Sequence, residues 1–214
     1  MATGGPMVMT IDPIALQRLT QWFSANYPVG AYAYSHGLEA MIDQGRVTDA
    51  RSFEAWLRDV LIRGAGRNDA ILLAAAYRGE PEVAELSVAL ASSRERLLET
   101  KALGAAFAAV TDAADPATYP VTVGRAAAAE GLPLDHVLLF FINAFASNLV
   151  TISCRAVPIG QTEGQAILQS LAPVIADLAV EAARSDLSDL GSATFAADLA
   201  AIDHETQTTR IFRT

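Results

Sequence analysis

Val137-Leu138-Leu139-Phe140-Phe141-Ile142 opens an apolar segment that continues to Ile152 and decides how the rest of the chain must fold. Its length falls short of the roughly 20 apolar residues that a membrane-spanning helix needs. Four polar residues also interrupt it: Asn143, Ser147, Asn148 and Thr151. We therefore interpret the segment as a helix buried at the centre of a globular protein, with a spanning helix as the alternative.

The sequence on both sides of this segment also has the period of helices. Alanine, leucine, glutamate and arginine dominate it, and the strict alternation of β-branched residues that is typical of strands is missing. The predicted helices cover approximately residues 13–25, 35–45, 48–63, 69–77, 92–111, 122–130, 133–155, 162–184 and 192–204. The chain is thus predicted to be all-α, with roughly eight to ten helices in a single globular domain over residues 1–214.

Capping residues predict where three of these helices begin. Thr48 is a suitable N-cap for the third helix. Ser92 with Glu95, and Thr162 with Gln165, have the spacing of a capping box. These residues should therefore satisfy the first backbone N–H groups of their helices.

Residues 112–120 form the most loop-like stretch, with two prolines and no apolar period. The stretch is short and its flanks are apolar, which is unlike a linker between independent domains. We expect one domain with an internal division between its N-terminal and C-terminal halves here.

The charge balance argues against a nucleic-acid partner. The chain has 24 acidic and 15 basic residues, a net charge of −9, whereas binding to a phosphate backbone needs a concentrated positive field. Lys101 is the only lysine, so the other basic residues are arginines. Their planar groups suit paired contacts with carboxylates at protein interfaces.

The single cysteine, Cys154, excludes an internal disulfide and a multi-cysteine metal site. Such cysteine usage is typical of a reducing compartment. Met1–Thr10 has neither the basic start nor the sustained apolar stretch of a secretory signal. We expect a cytoplasmic protein that does not bind membranes.

Searches for catalytic motifs give no candidate. A phosphate-binding loop needs lysine followed by serine or threonine, but Lys101 is followed by Ala102. Gly64-Ala65-Gly66 lacks the third glycine of a dinucleotide fingerprint, and Cys154 lies in an apolar helical run without the turn of a nucleophile. The sequence predicts no enzymatic activity and no cofactor.

The three histidines give only a weak metal signal. His36 and Glu39 could share one face of a helix, but two ligands do not close a metal site. His204 and Glu205 are adjacent and should point apart, and His136 at the start of the apolar helix is expected to be structural. We predict no metal site in this chain.

Three sequence blocks carry the strongest functional signal. The first is Tyr27-Pro28-Val29-Gly30-Ala31-Tyr32-Ala33-Tyr34-Ser35-His36-Gly37-Leu38-Glu39. The second is Arg155-Ala156-Val157-Pro158-Ile159-Gly160-Gln161-Thr162-Glu163-Gly164-Gln165, and the third is Asp203-His204-Glu205-Thr206-Gln207-Thr208-Thr209-Arg210-Ile211-Phe212-Arg213. In this order they resemble the motifs of the UreF family of urease accessory proteins. Only Tyr27, Ala156 and Thr208 depart mildly from the residues usual there.

The resemblance implies a helical adapter that forms a homodimer and binds the accessory protein UreD, called UreH in some systems. The pair would recruit the GTPase UreG to apo-urease for nickel insertion. GTP hydrolysis and nickel chemistry would then belong to UreG and urease, while the UreF-like chain shapes the assembly as a chaperone of the metallocentre. Nickel binding by such a chain is part of the same expectation.

The first block is expected to form an interface. Pro28 and Gly30 permit a turn, which would place the rings of Tyr32 and Tyr34 at its rim as anchors for a partner. The alternative is that both rings pack the turn onto the core. Glu39, which closes the block, is a partner-binding candidate by resemblance.

The second block is expected to bring Arg155, Gln161 and Gln165 around one turn. An arginine and two amides could recognise a partner loop there. The alternative is that Gln165 only caps the helix together with Thr162.

The third block contains an apolar pair, Ile211 and Phe212, between Arg210 and Arg213. A terminal segment frays unless something holds it. Resemblance implies that Arg210, Phe212 and Arg213 dock against the UreD-like partner or the dimer mate. The alternative is packing within the chain, with Arg210 paired to a local carboxylate.

Two other classes of function stay open at this point. The alanine-rich helices could enclose a pocket and make the chain an apolar-ligand binding or sensing domain. An independent metal hydrolase would need His36, Glu39 and a remote third ligand to converge.

Overall fold

The computed structural model describes residues 11–213, and within them the secondary structure is helical, without β-strands. The prediction of an all-α, globular domain is confirmed. The α-helices are α1 (Pro13–Trp22), α2 (Leu38–Asp43), α3 (Ala50–Arg63), α4 (Ala65–Arg78), α5 (Val83–Ala89), α6 (Arg94–Thr111), α7 (Tyr119–Ala129), α8 (Leu134–Ala156), α9 (Gln161–Arg184) and α10 (Phe195–His204). Two short 3-10 turns cover Ala31–Ala33 and Leu187–Asp189. The expectation about a signal in Met1–Thr10 lies outside the described residues.

The apolar helix α8 lies in the core, as the sequence predicts. Its residues Leu138, Ile142 and Leu149 are completely or almost completely buried, and α8 packs along the length of α9. Both α8 and α9 are long and apolar enough to cross a membrane by length and composition alone. The core helix of a globular protein passes the same test, and the inward face of α8 belongs to one continuous hydrophobic cluster.

Helix α7 packs unusually close to its neighbours because it carries a glycine at the crossing. A Cβ on Gly124 would lie 2.3 Å from the carbonyl oxygen of Leu73 in α4. On the other side, a Cβ on Gly104 of α6 would lie 2.1 Å from the carbonyl oxygen of Ala117. The segment before α7 therefore lies directly against α6, and helices on both sides of residues 112–120 contribute to the same core.

Several helix starts differ from the sequence prediction. Asp49, not Thr48, caps α3, because its side chain accepts a hydrogen bond from the Ser52 backbone while the Ser52 hydroxyl faces the backbone of Asp49. Ser93, not Ser92, caps α6. In both cases the neighbouring residue offers a similar side chain, and only the backbone angles decide between them.

The predicted capping box at Thr162 and Gln165 is wrong. Helix α9 begins at Gln161, its N-cap is Gly160, and no side chain caps it. Gly164 faces α8, where an added Cβ would lie 2.9 Å from Cys154 Sγ. The first turn of α9 thus lies directly against the end of α8. Cys154 itself is half-buried beside the core, near its predicted position.

Candidate functional site

The first sequence block forms a tight turn that is anchored to the core. Gly30 and Gly37 have φ angles of 79° and 77°, and His36 between them has a φ of 55°. The ring of Tyr27 lies 5.6 Å from that of Phe107, and its burial raises its pKa above the ordinary value. The block is therefore fixed at its beginning by α6 and shaped by backbone angles that favour glycine.

Helix α10 lies directly on this turn. A Cβ on Gly37 would be 2.9 Å from the backbone nitrogen of Ala201 and 3.2 Å from the carbonyl oxygen of Ala197. Only a glycine allows this approach, because the position also has a positive φ. The turn thus carries the helix that leads into the third block.

The third block folds back onto the first through backbone hydrogen bonds. The Arg213 N–H donates to the carbonyl oxygen of Ala33 over 2.8 Å. The side-chain carboxylate of Glu39 accepts two further hydrogen bonds, from the backbone N–H groups of Ile211 at 2.7 Å and Phe212 at 2.9 Å. We name this meeting place of the first block, the end of α8 and residues 205–213 the tail junction.

Glu39 is therefore buried and bonded within its own chain, and partner contact by Glu39 stays a prediction. Its carboxylate is also 3.2 Å from Nε2 of His204, the last residue of α10. The His204 side chain is 0% exposed, and its other ring nitrogen, Nδ1, lies 2.7 Å from the carboxylate of Glu95 in α6. The expectation that His204 and Glu205 have no common site is consistent with this geometry, because Glu205 instead accepts a hydrogen bond from the Arg94 N–H at 2.7 Å.

Arg210 completes the charges around His204. Its guanidinium binds the carboxylate of Glu95, and its Nε donates to the carbonyl oxygen of Gln207 over 2.8 Å. The contact between Arg210 and Glu95 corresponds to the alternative stated for the third block, in which Arg210 pairs with a local carboxylate. The tail is thus held within its own chain.

A second buried ionic cluster lies next to the junction. His36 Nε2 is 2.8 Å from Glu99, which is also 3.2 Å from the Arg96 guanidinium, and Arg96 binds Asp69. Burial raises the pKa of the Asp69 carboxyl, although Arg96 opposes that rise. Burial lowers the pKa of Arg96, but Asp69 and Glu99 outweigh it and leave that pKa raised.

His36 and Glu39 consequently do not form a metal pair. His36 is engaged by Glu99, while Glu39 belongs to the tail junction. In residues 11–213, no group of three or more histidine, cysteine, aspartate or glutamate side chains is arranged to hold a metal ion.

Arg155 of the second block reaches the tail junction at the end of α8. Its guanidinium lies 5.3 Å from the centre of the Phe212 ring, a distance suited to a cation–π contact. Phe212 is only 4% exposed and packs into the main core. The ring of Phe212 thus packs within its own chain, as in the alternative stated for the tail, and partner contact by Phe212 stays a prediction.

The two tyrosines of the first block have opposite environments. Tyr32 is 65% exposed, whereas Tyr34 is 8% exposed and buried. The expectation that both rings lie at the rim is wrong for Tyr34, because Tyr32 lies within the 3-10 turn of Ala31–Ala33 whereas Tyr34 follows the turn with an extended backbone, at φ −124° and ψ 119°. Partner contact by Tyr32 stays a prediction.

Gln161 and Gln165 are exposed on the first turns of α9. Gln165 lines an open groove between α8 and α9 together with Asn143 and Ser147. Partner contact by these two glutamines also stays a prediction.

The exposed residues of the tail junction form a surface with an unusual charge for this protein. Its members, which we name the docking surface, are Tyr32, Arg155, Arg210, Ile211 and Arg213. Three arginines and two apolar side chains are exposed here, although the chain carries a net charge of −9. Arginine and exposed aromatic residues are the types most enriched at binding hot spots.

Comparison with known proteins decides the family. The UreF family model matches residues 47–172. A urease accessory protein UreF of Roseobacter denitrificans is 48% identical over 217 residues, covering 97% of each chain. Another, of Cereibacter sphaeroides, is 53% identical over 207 residues, covering 94% of this chain and 99% of its own.

The chain belongs to the UreF family of urease accessory proteins.

Membership in the UreF family fits the failed search for catalytic motifs, because UreF proteins are non-enzymatic accessory proteins. The family motif at the beginning of the chain and the one at its end meet in the tail junction, and Arg155 joins them from the second. The two glutamines of the second UreF motif lie instead on α9.

Sequence reasoning missed Arg96 and Glu99 and assigned Glu95 only to a capping box. These three residues of α6 supply half of the charged groups around the two buried histidines. The available signal was their spacing along α6, since residues three and four apart share one face of a helix. Acidic and basic residues on a helix are usually solvated, so this pattern did not indicate burial.

Proposed function

We propose that the chain is the adapter of a nickel-insertion complex, in which it binds a UreD-type protein, recruits a UreG-type GTPase to apo-urease and regulates when that GTPase acts. The observation that supports this proposal is the convergence of three family motifs at an exposed surface of arginines and apolar side chains. The missing phosphate-binding loop agrees with GTP hydrolysis by a partner. A cytoplasmic location and a homodimer, with nickel handled by the assembled complex, belong to the same proposal.

The docking surface supports a protein partner more than a small ligand. Two cavities beside the buried ionic cluster have volumes of about 50 and 30 Å³, whereas ligand pockets have roughly 300 Å³ or more. The groove between α8 and α9 is larger, about 620 Å³, but it is open and lined by polar residues such as Asn143 and Gln165. The apolar-ligand alternative therefore has no enclosed site among these cavities.

Copurification with the proposed partners tests the adapter function. The tagged chain is mixed with UreD-type protein, UreG-type protein and apo-urease, and the retained proteins are quantified. We expect UreD-type protein to be retained directly and UreG-type protein to be retained in the presence of UreD. Failure of the folded chain to retain any of them contradicts the proposal.

A matched pair of variants connects that result to the docking surface. Tyr32→Ala removes an exposed ring at the surface, and Val180→Ala removes an exposed apolar side chain on α9, 51% exposed. We expect Tyr32→Ala to weaken retention of the UreD-type protein by on the order of tenfold, as for a hot-spot residue. Val180→Ala should retain it as the wild type does.

A further inference from the structure

His204 lies between two carboxylates in a completely buried position. Its Nδ1 is 2.7 Å from Glu95 on α6, and its Nε2 is 3.2 Å from Glu39 on α2. The same carboxylates face other donors, since Glu39 accepts the N–H groups of Ile211 and Phe212 and Glu95 accepts from the Arg210 guanidinium. These groups from α2, α6 and the tail are the polar partners of the ring.

A neutral imidazole cannot satisfy this arrangement when both carboxylates are ionised. A neutral ring has one N–H donor and one nitrogen lone pair, and an ionised carboxylate only accepts hydrogen bonds. One ring nitrogen would then face a carboxylate oxygen lone pair to lone pair in a buried site, which is costly. The doubly protonated ring donates to both sides at once.

The alternative is a proton on one of the two carboxyl groups. Both carboxylates already receive hydrogen bonds from other N–H groups, and such bonds favour the ionised form. Glu95 additionally faces the positive charge of Arg210. The surroundings therefore favour the proton on the ring.

Charge counting leads to the same assignment. Glu39 and Glu95 carry two negative charges and Arg210 carries one positive charge. A protonated His204 makes this set of four groups neutral, whereas a neutral ring leaves an uncompensated negative charge on two carboxylates that are only 10% and 12% exposed.

We propose that His204 is an imidazolium in the folded chain and acts as the positioning residue that fixes the tail, so that raising the pH releases the tail and weakens partner docking. The docking part rests on the function proposed above. When the ring loses its proton, repulsion with one carboxylate loosens Glu39 or Glu95. The N–H bonds of residues 211 and 212 then open, and the docking surface loses its arrangement.

The protonation state is measured directly by NMR of the free chain labelled with ¹⁵N in histidine. His136 is the internal reference, because it is partly exposed at the start of α8 beside Asp135. We expect both ring nitrogens of His204 to carry protons at pH 7. A neutral tautomer of His204 at pH 7 overturns the proposal.

Glu95→Gln provides a variant in which the charges balance without the ring proton. Glu39 and Arg210 then cancel, and the amide of residue 95 can donate to a neutral ring or accept from it. We expect the amide-exchange protection factors of Ile211 and Phe212 to fall by about tenfold or more between pH 7 and pH 9 in the wild type and to change much less in Glu95→Gln. Equal pH dependence in both proteins contradicts the proposal.

His204→Gln tests the residue itself, with His136→Gln as the matched control. The two N–H donors of a glutamine amide share one nitrogen and cannot replace donors on two separate ring nitrogens, so we expect low protection of the tail amides at every pH in His204→Gln and wild-type protection in His136→Gln. If His204→Gln does not fold, as circular dichroism will show, the Glu95→Gln comparison still decides the question. Wild-type tail protection in a folded His204→Gln overturns the proposal.

Binding measured over the same pH range separates the two proposals. The ratio of wild-type to Glu95→Gln affinity for the UreD-type protein cancels any pH dependence of the partner. A falling ratio between pH 7 and pH 9 supports docking through the fixed tail, and a constant ratio contradicts it. If the NMR and exchange results hold while the UreD-type protein is not bound at all, the proposed function fails and the docking part of this inference fails with it, whereas the imidazolium assignment stands.

Discussion

Gly37 shows how one residue without a side chain can place a whole helix. It combines a φ of 77° with an approach to the α10 backbone that leaves no room for a Cβ. Gly45 has a similar φ of 68°, but nothing lies within 4 Å of its added Cβ. Substitutions at these two glycines therefore distinguish the energetic cost of a left-handed backbone from that of a steric clash.

We expect Gly37→Ala to lower the free energy of unfolding more than Gly45→Ala does. Both variants pay for a left-handed backbone, at about 1 kcal/mol, and Gly37→Ala adds an overpacking cost of about 1–3 kcal/mol. Urea unfolding of the two variants and the wild type measures the difference. Equal losses would contradict the close approach of α10.

Asp49 offers a prediction about pH at the start of α3. The Ser52 hydroxyl and backbone N–H hold the pKa of the Asp49 carboxyl below its ordinary value of 3.8. Because the folded-state pKa is the lower one, the stabilisation is present above pH 3.8 and is lost as the pH falls through the folded-state value. We expect the stability difference between the wild type and Asp49→Ala to shrink as the pH is lowered below 3.8.

Urea unfolding at several pH values measures this difference. Ser52→Ala is the control, because it removes the hydroxyl that lowers the pKa but keeps the carboxyl, and its own pH dependence should be weaker than that of the wild type. A difference between the wild type and Asp49→Ala that stays constant from pH 6 to pH 2.5 would be inconsistent with the cap.

Single residues also show where sequence reasoning reached its limit. Glu39 and His204 stood inside recognised motifs, but their partners could not be predicted because they are 165 positions apart. Tyr32 and Tyr34 looked equivalent in sequence, and only the backbone of the 3-10 turn places one outside and one inside. Local patterns identify such residues without indicating which direction they face.

At the scale of elements, the contact between α4 and α7 depends on Gly124. We expect Gly124→Ala to destabilise the protein by about 1–3 kcal/mol, because the new Cβ would lie 2.3 Å from a backbone carbonyl oxygen. This is opposite to the usual gain of about 1 kcal/mol when alanine replaces glycine inside a helix. Thermal and urea unfolding of the variant and the wild type measure whether the free energy of unfolding falls or rises.

Gly191→Ala is the matched control for that substitution. Its added Cβ has open space around it, so the change in unfolding free energy should stay within about 0.5 kcal/mol. Stabilisation by Gly124→Ala would show that α4 and α7 lie farther apart than described.

The tail as an element has one buried and one exposed apolar residue side by side. Phe212 is 4% exposed and Ile211 is 67% exposed. We expect Phe212→Ala to cost about 3–5 kcal/mol of stability, and Ile211→Ala to change stability by no more than about 0.5 kcal/mol while weakening UreD-type binding. Denaturation and copurification of both variants test this division; a destabilised Ile211→Ala that binds normally would argue against it.

The helices themselves were largely predictable, because the apolar period of α3, α6, α8 and α9 is long. Helix α5 was missed, since Val83–Ala89 is short and lies between punctuating residues. Gly64 was interpreted as a gap before the next helix, whereas α4 begins immediately after it at Ala65. The glycines at 64 and 66 predict an interruption of the helix, but α3 and α4 are separated only by a sharp turn at Gly64.

At the scale of the whole molecule, the positive docking surface contrasts with the negative remainder. A partner with carboxylates at the matching surface should bind in a salt-dependent way, since exposed charges are screened over about 8–10 Å at moderate ionic strength. We expect Arg213→Gln to weaken binding of the UreD-type protein by several-fold at low salt and to reduce the dependence on salt.

Arg125→Gln is the control for the loss of one surface arginine. Arg125 lies on α7, where it pairs with Asp115 at 3.2 Å. Titrations at two salt concentrations should show wild-type binding for this variant. An equal effect of both substitutions would mean that net charge, and not the docking surface, governs association.

The whole-molecule arrangement was the least predictable level. The all-α class and the central place of α8 followed from composition and period, and the family followed from three motifs in order. The meeting of the three motifs in one junction could not be predicted, because it depends on the path of the helices between them.

The bond between Ile211 and Glu39 also bears on the order of folding. It joins positions 172 apart in sequence, and contacts at such large sequence separation are expected to form late, after the helices between them have packed. A refolding molecule would complete its helical interior first and form the docking surface last. Binding of a partner would then indicate that folding is complete.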